Sequence, residues 1–204
     1  MTEQPDAEEQ SRAPVLSPPK GLKWLLGRPG LVTAFAWGVA EGSVFFLIPD
    51  IIITLTALFS LKRSLLQMGC VVAGSLVAGI FLYQWSQVNY VAAKSMVLKV
   101  PFVRGSMFDE TQREFQISGL WALYAGPTRG IPYKVYAVQA PAFCALPVFL
   151  LASIPARLER LAISWVVFAC VGYVFRKRKA RRWTAILFHG VYWIIVYVGY
   201  WTTI

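Results

Sequence analysis

Four charged side chains stand in sequence too apolar to hydrate them. Glu41 and Asp50 lie in WGVAEGSVFFLIPDIIITL, and Arg129 and Lys134 lie in GPTRGIPYKVY. A carboxylate in hydrocarbon costs about 3 kcal/mol on insertion scales, so such a group is protonated, paired or facing water. A buried carboxyl can load and release a proton. An arginine beside the open amides of a broken helix can hold a phosphate. The same charges also fit a static buried ion pair that only fixes packing. Pro49-Asp50 doubles as an ordinary helix cap, and the Lys134 stem is long enough to carry its ammonium to an interface.

The remaining acids sort elsewhere. Glu3, Asp6, Glu8 and Glu9 fall in a proline-containing N-terminal stretch; Asp109, Glu110 and Glu114 fall in a mixed segment; Glu159 stands between Arg157 and Arg160. The economical arrangement sets Arg129 against Glu41 or Asp50. His189, the single histidine, has no neighbour at ligand spacing and is expected to be structural. Cys70, Cys144 and Cys170 show no C-x-x-C spacing and are expected to be buried packing thiols, with no metal site. No glycine-rich phosphate loop, G-x-S-x-G or H-E-x-x-H is present, so no enzyme chemistry and no cofactor are expected.

The elements that position these charges are set by the apolar runs. Ser64–Trp85 and Trp183–Ile204 are each long enough to cross a bilayer, which takes roughly 20 residues. Ala156–Phe175 reaches that length only with Arg157 to Arg160 at an interface. Pro49 and Pro132 break other apolar stretches, and Pro141, Pro147 and Pro155 divide the apolar sequence beyond residue 140. Such breaks survive in hydrocarbon only where protein or a wet cavity meets the freed backbone groups. Short apolar halves joined at a break predict re-entrant hairpins near 31–60 and 119–140, with two kinked spanning helices as the alternative. Gly74 and Ala78, and Ser75 and Gly79, are small-xxx-small pairs that let a neighbouring backbone approach closely. Asn89–Ser118 carries charges of both signs among apolar residues and reads as an interfacial helix interrupted at Pro101.

Composition agrees. The chain is 57% hydrophobic and 15% charged yet carries a formal charge of +10. That excludes a disordered chain and a disulfide scaffold, and it fits a membrane protein whose loops hold the positive charge. Residues 1–27 are expected to be a disordered acidic tail, without the positive start of a signal peptide. A membrane domain is expected over 28–175, and a basic loop with a final transmembrane helix over 176–204. Arg176 to Arg182 places six bases in seven residues, which suits a topogenic loop on anionic lipid and not a nucleic-acid interface.

In order of features the chain resembles the VTT-domain, or DedA-like, membrane protein family. Glu41, Pro49 and Asp50 match the first-hairpin motif, and Ser64–Trp85 the small-residue helix. Phe115 and Gly119 match an F-x-x-x-G element, and Arg129 and Pro132 fall in an Arg-Phe-x-Pro-x-x-Arg-type signature. The family's second arginine falls at Val135, which leaves Lys134 or Arg157 to supply that charge. The resemblance implies two hairpins facing each other in a bacterial inner membrane. It also implies lipid scrambling or flipping, including recycling of polyprenyl-phosphate carriers, and transport driven by the proton-motive force.

The expectation is therefore an all-α, multi-pass membrane protein that moves a phospholipid or lipid phosphate between leaflets, with or without proton coupling. Arg129 would contact the phosphate, helped by Lys134. Glu41 would carry the proton or balance Arg129, Asp50 would assist at the hairpin tip, and Pro49 and Pro132 would make the breaks. Membrane lipids and protons are the expected partners. Two other readings use the same residues: a proton-coupled exporter of a small solute, and a non-transporting membrane scaffold.

Overall fold

A computed structural model describes residues 17–46, 49–126, 129–178 and 181–203. Among them are nine α-helices and no strand. The helices are α1 (Arg28–Ser43), α2 (Asp50–Phe59), α3 (Leu61–Val88), α4 (Tyr90–Val97) and α5 (Gly105–Ser118). They continue with α6 (Ala122–Ala125), α7 (Tyr133–Gln139), α8 (Leu146–Lys177) and α9 (Arg182–Thr203). Two of them, α3 and α8, are long and apolar enough to cross a membrane. With α9 they turn Leu65, Phe81, Leu151, Ile163, Leu187 and Ile195 outward, each at least 44% exposed.

Helix α3 is the central post, and α1, α2, α7 and α8 all pack against it. Its closest partner is α1, and glycine is the reason. The Gly38 Cα rests on the Val71 backbone, and that of Gly74 rests on the backbone of Phe35 and Val39. A Cβ at either site would overlap main-chain atoms. Further along, Gly42 meets Ala78, and Gly79 leaves room for the Tyr133 hydroxyl. The small-residue pattern of α3 thus receives one helix at Gly74 and Ala78 and a second at Gly79.

Capping explains several element starts. The Ser60 hydroxyl accepts from the Arg63 amide at the start of α3, and the Asn89 side chain accepts from the Ala92 amide at 2.9 Å at the start of α4. Pro147 falls in the first turn of α8, where no amide donor is needed. Pro155 does not divide this segment: α8 runs on through it for 32 residues. A proline removes one intrahelical bond and bends the axis, a cost that packing against α2 and α3 absorbs.

Three further expectations change. Residues 1–16 of the expected tail lie outside the described residues, but its end is packed. Lys20–Leu26 forms a 3-10 helix, Leu25 is buried, and its carbonyl accepts from the Gln67 amide nitrogen at 2.8 Å. Trp24, Leu25 and Leu26 give that stretch an apolar face the acidic tail lacks. The cysteines are less buried than expected, since Cys70 and Cys144 are half-buried and Cys170 is exposed. On α8, Phe168 and Gly172 turn inward, and Cys170 midway between them turns out. Finally, α5 packs as one amphipathic face, burying Met107, Phe108, Thr111, Glu114 and Phe115, so an acid expected at an interface is inside.

Candidate functional site

Four charged side chains collect around one cavity of about 250 Å³. Glu41 comes from the last turn of α1, Lys134 from the first turn of α7, and Arg157 and Arg160 from the middle of α8; all four line it. Apolar wall is supplied by Phe46, Val100, Phe102, Leu123, Ile131 and Val196, among others.

Arg157 reaches Glu41 with both terminal nitrogens. Nη1 donates to Oε1 at 3.3 Å, and Nη2 donates to Oε2. Glu41 is 7% and Arg157 6% exposed, so the pair is withdrawn from water on both sides. The guanidinium also sits 5.0 Å from the centre of the Tyr133 ring. Tyr133 is itself fixed: its hydroxyl lies 3.2 Å from Ser153 Oγ, and Ser153 donates onward to the Phe149 carbonyl at 2.7 Å.

Asp50 opens α2 behind Pro49, which is buried at the N-cap position. Arg160 Nη2 stands 3.2 Å from Asp50 Oδ2, close enough for charge pairing but off the hydrogen-bonding direction. Residues 157 and 160 are three apart on one helix, so both guanidiniums project from the same face. Lys134 donates to the Phe45 carbonyl at 2.9 Å, which ties α7 to the chain leaving α1. Pro132 is the N-cap of α7 in extended backbone and lines the cavity beside Gly130 (φ 72°), a left-handed position that suits glycine. Leu47 and Ile48 of the first break, and Pro127 and Thr128 of the second, lie outside the described residues.

Arg129 does not meet Glu41 or Asp50, correcting the expected arrangement. It is 52% exposed in its side chain and pairs with Glu114 and, at 3.5 Å, with Glu110. Both acids belong to α5, which packs against α7 and so brings its carboxylates to this side of the break. The second oxygen of Glu114 accepts from the Tyr136 hydroxyl at 2.7 Å. A further tie between these helices runs from Gln139 Nε2 to the Phe108 carbonyl at 2.7 Å.

Arg157, expected only as a substitute base, takes the central position, and Arg160 has a place in the site that the sequence reading does not give it. The helical signal is there, since 157 and 160 share a face that Glu159 does not. His189 has the packing role expected of it. Its Nε2 lies 3.0 Å from Thr54 Oγ1, the hydroxyl oxygen that accepts from Trp193 Nε1 at 3.1 Å, and its ring abuts Phe168.

The arrangement pairs a cationic, water-poor recess with an apolar wall, the requirement for holding an anionic group attached to something greasy. No protein-family model, curated protein or solved structure matches the chain.

Proposed function

We propose that this chain is a multi-pass membrane protein that moves a phosphate-bearing lipid between leaflets. The observation that carries the reading is the cavity itself, with Lys134, Arg157 and Arg160 on one part of its lining and Phe46, Val100, Phe102 and Ile131 on another. A phosphate headgroup matches the first and the start of an acyl or prenyl chain matches the second.

Helix lengths support the membrane part of the proposal. At 1.5 Å per residue, α1, α2 and α7 are about 24, 15 and 10 Å long, short of the roughly 30 Å hydrocarbon core. With α3 and α8 crossing, α1–α2 and α6–α7 are re-entrant hairpins broken near Pro49 and Pro132. This is the order of features that resembles the VTT-domain, or DedA-like, proteins. Within it Glu41 is the proton carrier or the counter-charge of Arg157, Asp50 steadies Arg160, and Arg129 is an outer headgroup contact.

The test is lipid movement in liposomes reconstituted with the purified chain and a fluorescent phospholipid. Movement above protein-free vesicles is expected, and its absence would remove the reading. Comparing wild type with Glu41→Gln under an imposed pH gradient tests the proton role; equal gradient dependence in both would exclude Glu41. The closed, two-pronged Glu41–Arg157 pair favours one alternative, a membrane scaffold in which the charges lock the packing. In that case Arg157→Met would lower thermal stability and no wild-type lipid movement would exist to lose.

A further inference from the structure

Two features of the cavity are left over once its ion pairs are drawn. The first is charge. Lys134, Arg157 and Arg160 face only Glu41 and Asp50, and Glu41 lies within electrostatic range of all three cations. One positive charge is therefore unbalanced at a cavity where Glu41, Lys134 and Arg157 are buried. An uncompensated buried charge is costly, and a counter-ion removes that cost.

The second feature is donors. Arg157 Nε and Arg160 Nε are buried without a hydrogen-bond acceptor, and Arg160 Nη2 has only the off-line Asp50 Oδ2 at 3.2 Å, an acceptor that is itself unsatisfied. Such orphan donors are rare, because each forfeits its hydration without replacement. Lys134 spends one of its three N–H groups on the Phe45 carbonyl. The Tyr136 and Tyr133 hydroxyls on the wall donate to Glu114 and Ser153, and neither accepts from the arginine donors.

From these we infer that Lys134, Arg157 and Arg160 form an oxyanion subsite for a singly charged phosphate group, entered without breaking the Glu41–Arg157 pair. The preferred ligand is a phosphodiester, whose single charge matches the single excess cation. A fully ionised monoester overshoots it. Arg160 is the discriminating residue, since its Nε has no acceptor, its Nη2 meets Asp50 only off the hydrogen-bonding direction, and it is the less buried of the two arginines, its side chain 20% exposed. The inference rests on the lipid reading only for the ligand's source, because the site chemistry is the same for a headgroup and a free anion.

The experiment is calorimetric titration of the detergent-solubilised full chain with inorganic phosphate, with dihexanoylphosphatidylglycerol and with dihexanoylglycerol, which lacks the phosphate. Saturable binding of the phosphatidylglycerol and none of the dihexanoylglycerol is expected. Arg160→Gln should weaken binding about tenfold, with part of the loss restored in Arg160→Lys. Lys62→Gln, exposed at the start of α3, should bind as wild type does. Inorganic phosphate competing at the same site would identify a free anion as a second source; phosphate failing where the lipid binds would assign the subsite to headgroups. Both outcomes keep it.

Absence of saturable binding by either phosphate probe overturns the inference. So does binding that is indifferent to Arg160→Gln and Lys134→Gln in protein of unchanged helicity and elution volume. Because no bilayer is involved, lost lipid movement with binding retained removes transport alone, and lost binding with movement retained removes the subsite alone.

Discussion

Two arginine–glutamate pairs flank the second break and have opposite surroundings. The inner pair, Glu41 with Arg157, joins α1 to α8 and is withdrawn from water on both sides. The outer pair, Glu114 with Arg129, joins α5 to the turn before α7; its acid is buried but its guanidinium is half in solvent. The inner pair has neighbours of its own kind in Lys134, Arg160 and Asp50, whereas the outer one is completed by a tyrosine and a second, half-buried acid. The contrast shows that chemistry alone does not assign a role. Burial of both partners makes one pair costly to separate, and exposure of one partner makes the other a tie that solvent can share.

Mutation can break this comparison at graded strength. The largest effect is expected from Arg157→Met, which strands Glu41 and should cost about 3–5 kcal/mol in thermal unfolding of the detergent-solubilised protein. The double change Glu41→Leu with Arg157→Met should recover most of that loss; a double variant as unstable as the single one would mean that the cavity needs the charges to fold. Next comes Asp50→Ala, which leaves Arg160 without its carboxylate and should cost about 1–3 kcal/mol.

Arg129→Gln should cost about 1 kcal/mol or less, since its partner stays hydrogen-bonded to Tyr136 and solvent replaces part of the pair. A loss as large as that of Arg157→Met would erase the distinction between the pairs. Smallest is the effect of salt. Raising ionic strength to about 1 M shrinks the screening length to roughly 3 Å and should narrow the gap between wild type and Arg129→Gln. The Arg157→Met gap should not move.

Glu41, Asp50 and Lys134 are legible without any fold, because charge inside apolar sequence is conspicuous, and all three fall in or beside one cavity. Arg157 and Arg160 are not, for a physical reason. Pro155 reads locally as a boundary, which puts the charged stretch after it at a helix end and therefore at an interface. Packing carries α8 through the proline, so the same residues stand mid-helix. Glu159 then looks like a local partner of both arginines, yet the helical turn sends it to the exposed side.

Glu114 is hidden by a similar shortcut. Position in the chain groups it with Asp109 and Glu110, although the spacing of Met107, Phe108, Thr111, Glu114 and Phe115 describes one helical face. The small-residue pattern of α3 is legible in kind, and only the fold can say that its two receptors are α1 and α7.

The interlocked glycines of α1 and α3 fix how closely those two helices approach. Gly38 and Gly74 each seat against the other helix's main chain, where neither helix can slide without driving backbone into backbone. Glu41 is thereby carried on a helix seated main chain against main chain on α3, whereas Arg157 and Arg160 are carried on α8, whose own glycine seat, Gly172, rests on the Leu58 backbone of α2.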